Sequence, residues 1–194
     1  MGNSDPIKTS GRFRVSPHGP KLQLRLFIWR LVYRLFFRFS PRPFHGWRRM
    51  ILRIFGANIE KKVKIYPNVQ VWAPWNLTMK YHSCMGEGVD CYSVGAIIIG
   101  ENTTISQRAV LCTASHDFTM SHFPLTVDSI EIGSDCWVAG EAWVMPGVTV
   151  GDRSVVGVRS LVLDDVPKDK VVAGSPCRVI KTRILNTEGA GSCE

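Results

Sequence analysis

The chain has 194 residues, 45% hydrophobic and 21% charged, an ordinary globular composition long enough to bury a core as one domain or slightly more. That excludes a disordered tail, a disulfide miniprotein and a collagen-like fibre. The net charge of +8 hides a split: residues 1–64 carry 15 basic and 2 acidic side chains, residues 65–194 carry 9 and 14. A basic arm on an acidic body points to an anionic surface, membrane or nucleic acid, as the arm's partner and leaves the body to other chemistry.

Residues 1–20, with Pro6, Gly11, Pro17, Gly19 and Pro20, read as a flexible lead-in. Residues 21–39, KLQLRLFIWRLVYRLFFRF, form an apolar run interrupted by Arg25, Arg30, Arg34 and Arg38. Each arginine would cost about 2.5–3.5 kcal/mol near a bilayer centre, so the run is not expected to span. At helical spacing Arg30, Arg34 and Arg38 share one stripe while Phe27, Leu31, Leu35 and Phe39 fall away from it, the pattern of an interfacial basic amphipathic helix. Pro41 and Pro43 end it. Trp47, Met50, Ile51, Ile54 and Phe55 then predict a second short helix stopping at Gly56, so residues 21–56 form one helical segment.

Residues 57–167 follow a different period. From Ile132 an aliphatic residue recurs at every sixth position: Ile132, Val138, Val144, Val150, Val156 and Val162. Four places after each comes a small or compact residue, Cys136, Ala142, Val148, Ser154, Ser160 and Val166, and Gly133, Gly151 and Gly157 fill the slot directly after the aliphatic one. Neither a helix nor an alternating strand repeats every six residues; a parallel β-helix does, with the aliphatic side chain on the coil axis and the small one at the bend. Upstream the pattern reappears as Ile99, Ile105, Leu111 and as Ile65, Val71, Leu77, with a ragged stretch at 83–98 between them. Three hexads predict a triangular coil of about eighteen residues. Residues 116–131, HDFTMSHFPLTVDSIE, exceed any coil corner and form an excursion, the kind of loop on a rigid scaffold where function sits. Residues 168–194 make a C-terminal segment and tail.

The six cysteines (Cys84, Cys91, Cys112, Cys136, Cys177, Cys193) show no CxxC pair and no zinc-type spacing, and no cleavable signal peptide precedes them. Reduced thiols in a cytoplasmic protein are the simplest reading.

The hexads, the SHDF at 115–118, the GSDCWVAGEAWVMPGVTVG at 133–151 and the VVAGSPCRVIK ending at Lys181 resemble the hexapeptide-repeat acyltransferases, a left-handed β-helix group of galactoside and xenobiotic acetyltransferases. SPRPFHGWRRMILRIFGA and YPNVQVWAPWNLTM are similar to the colanic acid biosynthesis acetyltransferases within that group, and the resemblance spans roughly residues 21–185. It implies a left-handed coil, a homotrimer, and acetyl-CoA as acyl donor bound between neighbouring subunits for direct transfer to a hydroxyl of a sugar or exopolysaccharide precursor.

A sugar hydroxyl must lose its proton as it attacks a thioester, so a neutral histidine is needed as general base. His116 opens the excursion and matches the family's catalytic histidine; Asp117 either orients it or faces water. The oxyanion needs a backbone N–H, and Gly140 corresponds to the family position near the thioester, though it also reads as a plain corner glycine. Trp137 resembles the tryptophan flanking the coenzyme arm, Val158 matches a backbone contact to the coenzyme, and Arg178 and Lys181 match the cations meeting its phosphates. Where the family often has Thr-Lys, this chain has Leu163-Asp164, which removes one phosphate cation. In the acceptor region, SCMGEGVDCYSVGA at 83–96 aligns poorly, and Asp90 is the nearest substrate-binding candidate. No cysteine is needed as an acyl carrier, and Cys112 and Cys136 read as small coil residues.

His82, His116 and His122 loosely resemble the ligand spacing of γ-class carbonic anhydrases, so a metal-dependent lyase is one rival and a non-catalytic trimeric scaffold another; the favoured reading requires no metal. For the basic arm two compatible readings stand. It contacts the cytoplasmic membrane face through residues 21–39, or it caps the coil with Leu24, Phe27, Leu31 and Leu35 over the open end and arginines outward. No nucleic-acid motif accompanies the charge.

Overall fold

The structure, a computed structural model, describes residues 19–185; most of the expected lead-in, the end of the tail and Cys193 lie outside the described residues. Short strands stack into three parallel faces around one axis, in a left-handed parallel β-helix. The first face holds Asn58–Ile59, Leu77–Met79, Ile97–Ile99, Ile130–Ile132 and Thr149–Val150. The second holds Lys64–Ile65, Cys84–Met85, Thr104–Ile105, Trp137–Val138 and Val155–Val156, and is extended by the antiparallel pair Lys170–Gly174 and Cys177–Thr182. The third holds Gln70–Val71, Asp90–Tyr92, Val110–Cys112, Trp143–Val144 and Leu161–Val162.

Every aliphatic slot from Ile132 to Val162 is buried, and so is every compact residue four places on. Each buried aliphatic side chain contributes about 1.5–3 kcal/mol, and stacking makes the core one continuous column. The corners are sharper than glycine placement alone suggests. The residue three places after the aliphatic one adopts positive φ at Lys62, His82, Asn102, Arg108, Asp135, Glu141, Arg153 and Arg159, with φ between 53° and 61°. Most of these are long side chains in a region that favours glycine, held there by the ladders on either side. Gly133, one place after Ile132, serves a different need: a Cβ there would meet the Asp152 backbone nitrogen at 2.7 Å.

The stretch 83–98 is a regular coil rather than a ragged one. Its first two slots are filled by Met85 and Cys91, and the slot before it by Met79, all buried, which hides the period. The first two coils are also longer than eighteen residues, since Asn58 pairs with Thr78 and Leu77 with Ile97. A 3-10 turn at Pro74–Asn76 lengthens one corner, so the third slots of the early coils are Val71 and Cys91, and Leu77 belongs to the next face. Burial pushes the Cys91 thiol up to about 12 and also raises Cys136, which fits their use as small apolar coil residues.

Helix α1 (Pro20–Val32) runs into a π turn at Tyr33–Phe37, and α2 (His45–Ile54) ends before Gly56 at φ 94°. The wide turn, closed by Arg38 N–H donating to the Tyr33 carbonyl at 2.9 Å, keeps Phe37 in line with Trp29 and Tyr33 (ring centroids 5.5–6.0 Å apart). Both helices cap the coil, but not as the sequence suggested. Leu26, Trp29 and Phe37 face the body, whereas Leu24, Phe27, Leu31 and Leu35 are 49–65% exposed.

The first coil's carbonyls have no preceding coil to bond them, and the helices supply the donors. Arg53 Nε donates to the Ile59 carbonyl (2.7 Å), Arg49 to Val63 (2.8 Å), Arg48 Nε to Ile65 (2.6 Å) and Trp29 Nε1 to Val71 (2.7 Å). In the next coil the equivalent carbonyls of Met79, Ser83, Met85 and Cys91 accept from Glu60, Lys64, Tyr66 and Trp72 of the first. Arg48 is wholly buried and also donates to Ser40 Oγ and to the Pro41 and Arg42 carbonyls.

Arg48→Ala removes the side-chain donor shared by the Ile65, Pro41 and Arg42 carbonyls and Ser40 Oγ and should cost about 2–4 kcal/mol of stability, read as a lower urea midpoint in far-UV circular dichroism. A change below about 0.5 kcal/mol, the range of ordinary surface substitutions, would contradict this role.

Candidate active site

The excursion is a β-hairpin. Ala114–His116 pairs antiparallel with Leu125–Val127, His116 opposite Leu125. Thr113 anchors its base: its hydroxyl donates to the Tyr92 carbonyl and accepts from Gly95 N–H, both at 2.8 Å, and its carbonyl accepts from Asp128 N–H at 3.0 Å. The coil register is untouched, since Ile97 and Ile130 pair directly across the insertion.

His116 is exposed, with Nδ1 2.7 Å from the Phe123 carbonyl oxygen. A carbonyl only accepts, so Nδ1 carries the proton and the neutral ring keeps its Nε2 lone pair outward, the tautomer a general base requires. Phe123 holds that carbonyl in place at φ 47°, the kind of backbone outlier that gathers at working sites. Asp117 does not orient the imidazole. Its Oδ1 accepts from the Thr119 hydroxyl (2.6 Å) and backbone N–H (2.9 Å), which hold its carboxyl below the usual range, and its own N–H donates to the Pro124 carbonyl. Asp117 therefore shapes the loop that positions His116.

The other expected residues gather elsewhere. Trp137 projects from the second face, about half exposed, its indole N–H donating to Ser106 Oγ at 2.8 Å. Along the same outer row lie Val155, Val171 and Lys181, in register with it. Gly140 is buried at the corner between the second and third faces, its carbonyl accepting from Arg159 N–H at 3.0 Å. A Cβ on it would meet Gln107 Nε2 at 2.9 Å. Val158, 65% exposed, stands one coil along at this corner, and Arg178, second in the last strand, lies opposite Ala173. Trp137, Gly140, Val158, Arg178 and Lys181 thus form one track down the second face and its corner. His116 lies across the third face, at its far edge.

Asp90 occupies the outer row of the third face, beside α1, where burial pushes its carboxyl up. His82 sits at a first-face corner against Tyr81, apart from the hairpin bearing His116 and His122. Among the described residues, no three His, Cys, Asp or Glu side chains within the chain gather to hold a metal ion.

One feature escaped the sequence reading. Arg108, Glu141 and Arg159 occupy the same corner slot in successive coils and form a ladder: Glu141 accepts from Arg108 (Nε, 3.0 Å) and from Arg159 Nε (2.5 Å), and the two guanidiniums hold its carboxyl below the usual range. Together with Trp143, Leu161 and Ser175 the ladder lines an open groove of about 530 Å³ beside Gly140. Aligning the hexads would have found it, since opposite charges recur three places after Ile105, Val138 and Val156.

No protein-family model matches the chain. A 161-residue stretch is 41% identical to the Escherichia coli (strain K12) protein named "Putative colanic acid biosynthesis acetyltransferase WcaF", covering 83% of this chain and 88% of that one. Among solved structures, a maltose O-acetyltransferase from Clostridium difficile 630 superposes with a TM-score of 0.79 at 25% identity, over 86% of this chain and 90% of the other. A hexapeptide-repeat-containing acetyltransferase from Vibrio cholerae, complexed with acetyl coenzyme A, gives 0.76 at 24% identity over 84% and 90%. At 41% identity over most of its length, and on the same stacked-coil architecture, this chain belongs to the hexapeptide-repeat acetyltransferases.

Proposed function

We propose that the protein is an O-acetyltransferase that moves the acetyl group of acetyl-CoA directly onto a hydroxyl of a sugar or exopolysaccharide precursor, with His116 as general base. The observation that carries the reading is the His116 Nδ1 hydrogen bond to the Phe123 carbonyl, which leaves Nε2 as the acceptor. In the reaction Nε2 takes the acceptor's hydroxyl proton as that oxygen attacks the thioester carbonyl. The Gly140 N–H stabilises the resulting oxyanion, the C–S bond breaks, and the coenzyme thiolate takes the proton from His116. The products are the O-acetyl sugar and free coenzyme A, and no covalent enzyme intermediate is needed. The raised pKa values of Cys91 and Cys136 agree with the absence of a thiol acyl carrier.

His116 and Gly140 stand at opposite edges of the third face, so one subunit does not complete the site. A homotrimer, with His116 of one subunit set against the Trp137–Gly140 track of the next, resolves this and covers the outward Trp137 and Trp143, each 49% exposed. Support for the coenzyme comes from the acetyl coenzyme A complexed with the Vibrio cholerae acetyltransferase, and for its place from the track itself, where Trp137 and Val158 offer apolar contact and Arg178 and Lys181 offer cations to phosphates. The maltose acetyltransferase name favours a sugar acceptor. No helix among the described residues is long and apolar enough to cross a membrane. We place the enzyme in the cytoplasm, with the outward side chains of α1 resting on the inner membrane face.

His116→Ala should lower kcat for acceptor-stimulated thiol release about 10²–10⁴-fold while calorimetry gives unchanged acetyl-CoA binding. An active variant would remove the histidine-base reading. Replacing Arg178 and Lys181 together by alanine should raise the KM for acetyl-CoA about tenfold or more and change kcat little, as expected for lost phosphate contacts. For the membrane contact, Phe27→Glu with Leu31→Glu should abolish co-sedimentation with vesicles containing anionic lipid; undiminished binding would contradict it.

A further inference from the structure

A groove of about 460 Å³ separates α1 from the third face. Its helical wall carries Trp29 and Tyr33 and, four residues apart and therefore on one side of the helix and its π turn, Arg30, Arg34 and Arg38. Among the described residues, none of the three is in an ion pair, and the groove they line holds one carboxylate, Asp90. The opposite wall is of another kind. Trp72 and Tyr92 meet edge to face with centroids 5.9 Å apart, and Asp90 and Gln70 sit side by side in register. Tyr92 pairs with Cys112 one coil on, in the strand that leads through Thr113 to His116, and the Thr113 hydroxyl donates to the Tyr92 carbonyl, so one wall of the groove adjoins the base of the hairpin bearing His116.

A neutral sugar would use the aromatic, Asp90 and Gln70 side chains and leave the three arginines idle. Aromatic faces suit the C–H surface of a sugar ring, and Asp90 and Gln70 suit its hydroxyls. Guanidiniums suit phosphate oxygens, which they bind in bidentate pairs. Resting on the acetyl-transfer reading above, we infer that the acceptor is a sugar carrying a phosphate or diphosphate, with the sugar against Trp72, Tyr92 and Asp90 and the phosphate oxygens on Arg30, Arg34 and Arg38. Two sources share that chemistry: a nucleotide sugar in solution, and a sugar diphosphate on a lipid, which the outward apolar side of α1 would meet at the same surface.

The test is binding measured without acetyl-CoA, so that it stands apart from catalysis. Calorimetric titrations use inorganic pyrophosphate, UDP-glucose, methyl glucoside and, in phosphatidylcholine vesicles, polyprenyl diphosphate-linked glucose. Arg34→Gln with Arg38→Gln removes two exposed side chains that make no side-chain hydrogen bond among the described residues, and Lys62→Gln, at a corner on another face, controls for general charge loss. The double variant should weaken pyrophosphate and UDP-glucose binding about tenfold or more, the loss expected for charge-assisted hydrogen bonds. Lys62→Gln should leave both unchanged, and methyl glucoside should bind more weakly than UDP-glucose and be indifferent to the arginines. Tighter binding of the lipid-linked sugar than of UDP-glucose assigns the lipid source, and the reverse order the soluble one. Equal affinity of wild type and double variant for pyrophosphate, or of methyl glucoside and UDP-glucose for the wild type, overturns the proposal. If arginine-dependent pyrophosphate binding holds while no acceptor stimulates thiol release, the anion site stands and the acetyl-transfer reading falls.

Discussion

A β-helix is a hydrogen-bonded stack with two open ends, and the first coil's row of unpaired carbonyls is the constraint on which this structure depends. Such an edge left bare would recruit another strand. Here Arg53, Arg49, Arg48 and Trp29 take the places of a missing coil's N–H donors, carbonyl by carbonyl. The helical segment thus belongs to the β-helix rather than hanging from it. Part of the positive charge that suggested an anionic surface is spent on backbone oxygens instead, and the buried Arg48 needs no carboxylate because four acceptors surround it.

With its end closed, the stack tolerates additions at its corners. The hairpin at 114–127 leaves the third face after Cys112, and the chain rejoins the first face at Ile130 in register with Ile97. A loop on so regular a support can be specialised without disturbing the core. The strain at Phe123 and the Asp117–Thr119 turn are directed to one result, a fixed carbonyl that sets the tautomer of His116.

The three-faced geometry also divides the chemistry. The track from Trp137 to Lys181 occupies the second face and its corner, the hairpin bearing His116 the far edge of the third, and the arginine-lined groove lies between α1 and the third face. Within one chain the track and the histidine hairpin therefore stay on separate rows, on either side of the third face.

The six-residue aliphatic period, the excursion, His116 and the helices' limits at Pro41 and Gly56 were legible in the sequence, because core spacing and chain breakers act locally. The coil at 83–98 was not, since methionine and cysteine fill its slots as well as valine does, and core packing asks only for apolar volume. Nor was the direction of the arginines. Sequence periodicity separates the faces of a helix but does not say which face meets the body; α1 turned Leu26 and Trp29 inward because Trp29 can both pack and donate to the Val71 carbonyl. The sequence by itself determined the stacked coil and the histidine on its loop. Only the tertiary structure decided which cations serve the backbone, which line a groove, and which residues share a face, because those depend on how segments six residues apart (Arg53 and Ile59) to 42 apart (Trp29 and Val71) meet in space.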